Sequence, residues 1–141
     1  IWAMISMETR KPADLLTLHG GSIVHYVCVK DCPIDKPGRI KVSHPELVGE
    51  CQVKYSDIDL NGHVNSIKYI EHILDLFPME MFREKRIRRF EMAYVAESYY
   101  GDTLSFYREQ TGENEYDVEV KKNGSEVVVR SKVIVRKLWH K

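Results

Sequence analysis

Apolar and polar positions fall into clear periods in the second half of this chain and into none in the first. From Leu47 to Tyr55, Cys51, Val53 and Tyr55 alternate with Glu50, Gln52 and Lys54, which predicts a strand with one buried face. Over residues 66–77 the period lengthens to that of a helix. Ile67, Ile70, Ile73, Leu74 and Phe77 form its apolar stripe, Tyr69 and Leu76 widen the flank, and Asn65 stands where an N-cap belongs. Pro78 ends or breaks that helix, and residues 79–86 add a short helical segment. Four strand patterns follow, over residues 87–99, 102–109, 115–122 and 125–138. Asn123-Gly124 between the last two is a two-residue hairpin signal, because both residues tolerate positive φ. Val118 and Val120 are predicted to share one face, as are Val127, Val129, Val133 and Val135. One long helix followed by an antiparallel meander predicts an α+β fold in which a curved antiparallel sheet wraps the helix.

The first half is less regular. Residues 1–7 read as strand material, ended by the polar run up to Pro12, and residues 12–18 as one or two helical turns stopped by Gly20-Gly21. From there to Pro45 the chain reads as a connector, with residues 22–29 and 39–42 its extended pieces. The opening in strand-like residues without a methionine at position 1 predicts a fragment of a longer protein.

Lys plus Arg and Asp plus Glu each number 21, so nothing in the charge balance points to nucleic acid or an anionic membrane. Cys28, Cys32 and Cys51 have no metal-ligand spacing and read as free thiols in a reducing compartment. No apolar run approaches the roughly 20 residues that span a bilayer.

The densest polar stretch runs from Tyr55 to Asn65, and three readings of it compete. It can be a plain strand-to-helix turn, with Asn61-Gly62 supplying positive φ and Asn65 the cap. Alternatively, Asp57, Asp59, Asn61 and Gly62 fit the opening of a calcium loop. Lys68, however, stands where that loop needs a bidentate glutamate, and the preceding segment is a strand rather than a helix. Finally, Asp59, Asn61 and His63 can alternate on an extended stretch and point into one site, where an imidazole beside a carboxylate and an amide can move a proton near neutral pH. The missing base or nucleophile is then Glu97 or Ser98, in a strand whose apolar surroundings are expected to bury the glutamate and raise its pKa. A Ser98–His63–Asp59 triad is also conceivable, although the Gly-x-Ser-x-Gly elbow is absent.

Asp59-Leu60-Asn61-Gly62-His63-Val64-Asn65, followed by Tyr69-Ile70 and an apolar helix, resembles the Asp-x-Asn-x-His-Val-Asn signature of plant and bacterial acyl-acyl carrier protein (acyl-ACP) thioesterases. The run from Tyr94 to Ser98, with Gly101-Asp102 close behind, resembles that family's second block, where plants have Glu-Cys. Trp2 to Lys11 resembles the last strand of the family's first domain running into its linker. The resemblance implies a hotdog fold, with residues 1–10 the end of a truncated first hotdog, 11–45 a linker and 46–141 the C-terminal hotdog. It further implies a cytoplasmic thioester hydrolase of fatty acid biosynthesis that needs no cofactor or metal.

By the same resemblance the catalytic residues are Asp59, Asn61, His63 and Glu97, with Ser98 in the place of the plant cysteine. Ser98 removes a thiol nucleophile, so attack by water is preferred, with backbone N–H groups at the start of the helix supporting the oxyanion. The implied partners are acyl carrier protein bearing an acyl chain, and either the missing first hotdog or a second copy of the chain, without nucleic acid or membrane insertion. The basic run from Arg83 to Arg89 is either a dock for the acidic carrier or a solvated face. The alternative function is a non-catalytic hotdog that binds acyl chains or scaffolds an oligomer.

Overall fold

The computed structural model describes residues 4–138, and the chain divides into two compact units, Ile1–Lys36 and Pro37–Lys141. In the first, Ile5 bridges Pro12 across a tight turn in which Arg10 takes φ +57. The Asp14 carboxylate accepts the Leu16 N–H at 2.9 Å, and a 3-10 helix then runs over Leu18–Tyr26. Within it His19, Gly20 and Gly21 are left-handed and break it into two short helical pieces, so the two glycines do interrupt the segment. One expectation changes here: residues 22–26 are helical rather than extended. Of the predicted opening strand, residues 1–3 lie outside the described residues, and Ile5 makes only an isolated bridge.

The second unit is the expected α+β hotdog. Its elements are β1 (Glu46–Gln52), α1 (Ser66–Leu74), α2 (Met79–Glu84), β2 (Lys85–Tyr94), β3 (Thr103–Gly112), β4 (Glu115–Lys122) and β5 (Glu126–Lys137). The sheet is antiparallel throughout, in the order β1-β3-β4-β5-β2. Its inner face gives Leu104, Phe106, Val118, Val120, Val129, Val133 and Val135 to one core cluster, which Val64, Tyr69, Ile73 and Phe77 complete from α1 and its flanks. The outer face is a lattice of cross-strand ion pairs, with Asp117 facing Lys132 and Glu119 facing Arg130, each at 2.8 Å. The two carboxylates are themselves buried, and the partly exposed Lys132 and Arg130 pair with them.

The stripe of α1 that meets the sheet differs from the one expected. Tyr69, Ile73 and Phe77 are buried, whereas Ile67 is 58% exposed. Asn65 caps the helix as expected, its side chain accepting the Ile67 N–H at 2.9 Å. The helix also ends at Leu74, earlier than expected. The Leu76 and Phe77 N–H groups turn to the carbonyls three residues back, because the residue before Pro78 is disfavoured in the helical region. Arg108 caps this end, donating to the Leu76 carbonyl at 2.7 Å with its guanidinium over the Phe77 ring.

One irregularity positions the site. The β4–β5 register slips at Val120/Lys121, leaving Val128 without a partner on β4. Val127 therefore pairs with Lys121 on the outer side, and the expectation that it shares a face with Val129 fails. The Val128 carbonyl accepts both the Val95 N–H at 2.8 Å and the Ala96 N–H at 3.2 Å. That double contact ends β2 at Tyr94 and sends the chain off the sheet, so Glu97 lies in a loop rather than on the predicted strand.

Candidate active site

Two segments meet at the start of α1. The first is the polar turn after β1. A single 3-10 turn, Tyr55–Asp57, leads into it, and Asp57 is the post on which it stands. The Asp57 carboxylate is buried, accepting the Lys54 N–H at 2.8 Å on one oxygen and facing His72 Nε2 of α1 at 3.2 Å with the other. Its carbonyl accepts the Asn65 N–H at 2.8 Å. Beyond it, Ile58 bridges Val64 and the Asp59 N–H donates to the His63 carbonyl at 2.9 Å, closing a tight loop. The Asp59 carboxylate accepts the Asn61 N–H at 2.8 Å, and Gly62 turns the chain at φ +81, a conformation that glycine adopts without strain.

The stretch is therefore a turn and not extended, which corrects the expectation that Asp59, Asn61 and His63 project side by side. Asp59 braces the turn and Asn61 is exposed at its tip. Both line an open cleft of about 650 Å³ that also touches Tyr55 and Asn65. His63 and Glu97 do not line that cleft. The calcium geometry is also lost, since Asp57 and Asp59 are engaged by their own backbone and Lys68 pairs with Glu71 at 2.7 Å. Among the described residues no cluster of acidic, histidine or cysteine side chains could hold a metal.

The second segment is the loop after β2. Its anchors are the Ser98 carbonyl, which accepts the Val64 N–H at 2.9 Å, and the Glu97 carbonyl, which accepts from Lys122 Nζ at 2.8 Å. These bonds set Glu97 Oε2 at 3.3 Å from His63 Nε2. The Glu97 side chain is 43% exposed, so the expected burial of this carboxylate is not found. It is held by contacts instead: the Tyr99 hydroxyl donates to the same oxygen at 3.0 Å, and the Tyr99 ring packs edge-on to the His63 ring at 5.4 Å between centroids.

Ser98 is 0% exposed. Its hydroxyl neighbours that of Tyr69, close enough to act on the phenol's proton but short of full hydrogen-bond geometry. Burial pushes the Tyr69 phenol above its ordinary pKa, and the Ser98 hydroxyl works against that shift. The start of α1 offers less to an oxyanion than expected, because the N–H groups of Asn65, Ile67 and Lys68 are all taken within the turn and cap.

Of the five residues singled out in the sequence, His63 and Glu97 are thus brought together, Asp59 and Asn61 build the turn beside them, and Ser98 sits behind in the core. The sequence reading passed over His72 and Tyr99, and it weighed Asp57 only as a calcium ligand. Tyr99 carried one signal, its place two residues after the glutamate and just before the turn glycine Gly101.

A five-stranded antiparallel sheet packed on one main helix is the hotdog architecture. The 1,4-dihydroxy-2-naphthoyl-CoA thioesterase of Synechocystis shares this architecture at a TM-score of 0.54 and 15% identity, over 66% of this chain and 83% of that one. More specifically, residues 41–139 match the profile of the acyl-ACP thioesterase C-terminal domain, and the chain belongs to that family.

It is similar to an acyl-ACP thioesterase from Bacteroides thetaiotaomicron, with 67% identity and a TM-score of 0.86 over 94% of this chain and 53% of that one. The 12:0-ACP thioesterase of Umbellularia californica superposes at a TM-score of 0.74 with 22% identity, over 95% of this chain and 53% of that one. A dodecanoyl-[acyl-carrier-protein] hydrolase of Cinnamomum camphora is 31% identical over 67% of this chain and 26% of its own length. The matched region thus spans about half the length of these two acyl-ACP thioesterase structures and a quarter of that plant enzyme. Among the described residues no helix is long and apolar enough to cross a membrane.

Proposed function

We propose that this chain carries the hydrolytic centre of an enzyme that releases free fatty acid from acyl-acyl carrier protein. The observation that carries the proposal is the meeting of His63 Nε2 and Glu97 Oε2 at 3.3 Å, beside an open polar turn and in front of a buried serine. In this reading Glu97 takes a proton from water, whose oxygen bonds to the thioester carbonyl carbon. Asn61 and His63 bind the water and the carbonyl oxygen, where negative charge develops, and Asp59 holds the turn that presents them. The tetrahedral intermediate then collapses with cleavage of the C–S bond. The departing thiolate recovers the proton, so the products are the acid and the carrier thiol. Complete burial of the Ser98 hydroxyl favours water over serine as the nucleophile.

We also read residues 1–10 as the closing strand of a preceding hotdog, 11–45 as a linker, and the covering partner as that hotdog or a second copy of this chain. Leu60, Ile67, Tyr94 and Val95 support this by leaving apolar surface exposed around the site, and Tyr94 reaches back to the Ser66 carbonyl at 3.2 Å. Self-association on a sizing column is expected for the chain by itself, and a monodisperse monomer would count against a covering partner.

The test of function is release of free thiol from acyl-acyl carrier protein by the intact protein. Release that falls at least about a hundredfold in His63→Ala is the expected result. Acyl-chain binding with no thiol release would instead establish a non-catalytic hotdog.

A further inference from the structure

We propose that Tyr99 is a positioning residue of this centre, its hydroxyl setting both the orientation and the charge of Glu97 while its ring supports His63. The inference rests on the reading of Glu97 and His63 as the hydrolytic pair.

The local sequence explains why a tyrosine at this position is held so firmly. Tyr99-Tyr100-Gly101-Asp102 is a turn closed by the Asp102 N–H on the Tyr99 carbonyl at 3.1 Å, with Gly101 at φ +88. The Asp102 carboxylate accepts the Tyr99 N–H on one oxygen and Asn123 Nδ2 on the other, each at 2.9 Å. The turn is also fastened to the end of β1, where the Gly101 N–H donates to the Val53 carbonyl at 3.1 Å and the Asp102 carbonyl accepts the Val53 N–H at 2.8 Å. A ring fixed at its backbone in this way presents its hydroxyl to Glu97 Oε2 at 3.0 Å. Lys122 completes the arrangement, with its ammonium 5.7 Å from the centre of the Tyr99 ring while it donates to the Glu97 carbonyl. Tyr100, next in sequence and 73% exposed, is a natural internal control.

A half-exposed glutamate keeps much of its rotamer freedom unless something ties it down. The phenol O–H ties it and stabilises the ionised carboxylate, which keeps Glu97 able to accept a proton at lower pH. The groups seen to face Glu97 include His63 from the turn, Tyr99 from its own loop, Tyr69 from α1 and Lys122 from the end of β4. Tyr99→Phe removes the hydroxyl that donates to Glu97 and retains the ring against His63.

The experiment compares Tyr99→Phe, Tyr100→Phe and Glu97→Gln in the intact protein by pH-rate profile and by NMR titration of the Glu97 carboxyl. In Tyr99→Phe, kcat is expected to fall about tenfold at nearly unchanged KM. The acid limb of the profile and the Glu97 midpoint should both rise by roughly half a unit to one unit, the direction expected on losing a donor to the charged form. Tyr100→Phe should match the parent. A Tyr99→Phe protein with parental kcat, acid limb and Glu97 midpoint would overturn the proposal while leaving the hydrolytic pair intact, provided Glu97→Gln is inactive. Full activity in Glu97→Gln would instead remove the catalytic reading on which the proposal rests, and the positioning role with it.

Discussion

The polar turn can be tested through its post before any chemistry is measured. Asp57 is buried, with 10% of its side chain exposed, and its two oxygens tie the Lys54 N–H at 2.8 Å and His72 of α1 at 3.2 Å. Asp57→Ala removes both acceptors without adding bulk. A hydrogen bond to a charged group contributes about 1.5–3 kcal/mol, and the Lys54 N–H left behind is only partly reached by water, so a loss of about 2–3 kcal/mol is expected. With a urea m-value of about 1.5 kcal/mol/M, that loss lowers the unfolding midpoint by roughly 1.3–2 M. Asp57→Asn keeps an acceptor for Lys54 and should lose only about 1 kcal/mol, as should His72→Ala. In a double-mutant cycle, Asp57 and His72 should couple by about 1 kcal/mol. Stability in Asp57→Ala within about 0.5 kcal/mol of the parent, a shift typical of inert surface changes, would show that the turn stands on something else.

Two further outcomes test the packing and the loop that carries Tyr99. Ile73 is 0% exposed at the centre of the core, so Ile73→Ala should cost about 2–5 kcal/mol in equilibrium unfolding, and a loss below about 1 kcal/mol would contradict its central place. The Asn123 side chain, then the Tyr99 N–H and Lys122, hold the Asp102 carboxyl below its ordinary value of 3.8. A carboxylate with a depressed folded-state pKa stabilises the fold fully above its unfolded value and loses that contribution as pH falls through the folded one. Asp102→Asn should therefore be less stable than the parent near pH 6, and the gap should close as pH falls below 3.8; a gap independent of pH would contradict the assignment.

The parts of this protein legible in its sequence are those decided by neighbours along the chain. Glu115–Lys122 is a strand within the predicted bounds, and Asn123 and Gly124 take φ +51 and +84, although β5 resumes at Glu126, one residue late. Asn65 caps α1 as its side-chain chemistry dictates. The motif pair that brings His63 to Glu97 was also visible, because the resemblance joined two blocks far apart in sequence.

What stayed hidden depends on distant partners. Ile67 counts toward an apolar stripe on paper, yet the sheet buries Tyr69, Ile73 and Phe77 and leaves it 58% exposed. Glu97 sits in a run with strand composition, yet a slip between β4 and β5 offers the Val128 carbonyl to two successive N–H groups and peels the chain away. The exposure of Glu97, the burial of Ser98 and the roles of Asp57 and Tyr99 all follow from such contacts.

The division of labour between Glu97 and Ser98 is the most direct test of the whole account. Turnover of an acyl-carrier thioester by the intact protein should fall on the order of a hundredfold or more in Glu97→Gln. In Ser98→Ala, which removes only a hydroxyl sealed in the core, it should stay near the parental rate. Loss of activity in Ser98→Ala together with retained activity in Glu97→Gln would replace water attack with a serine nucleophile.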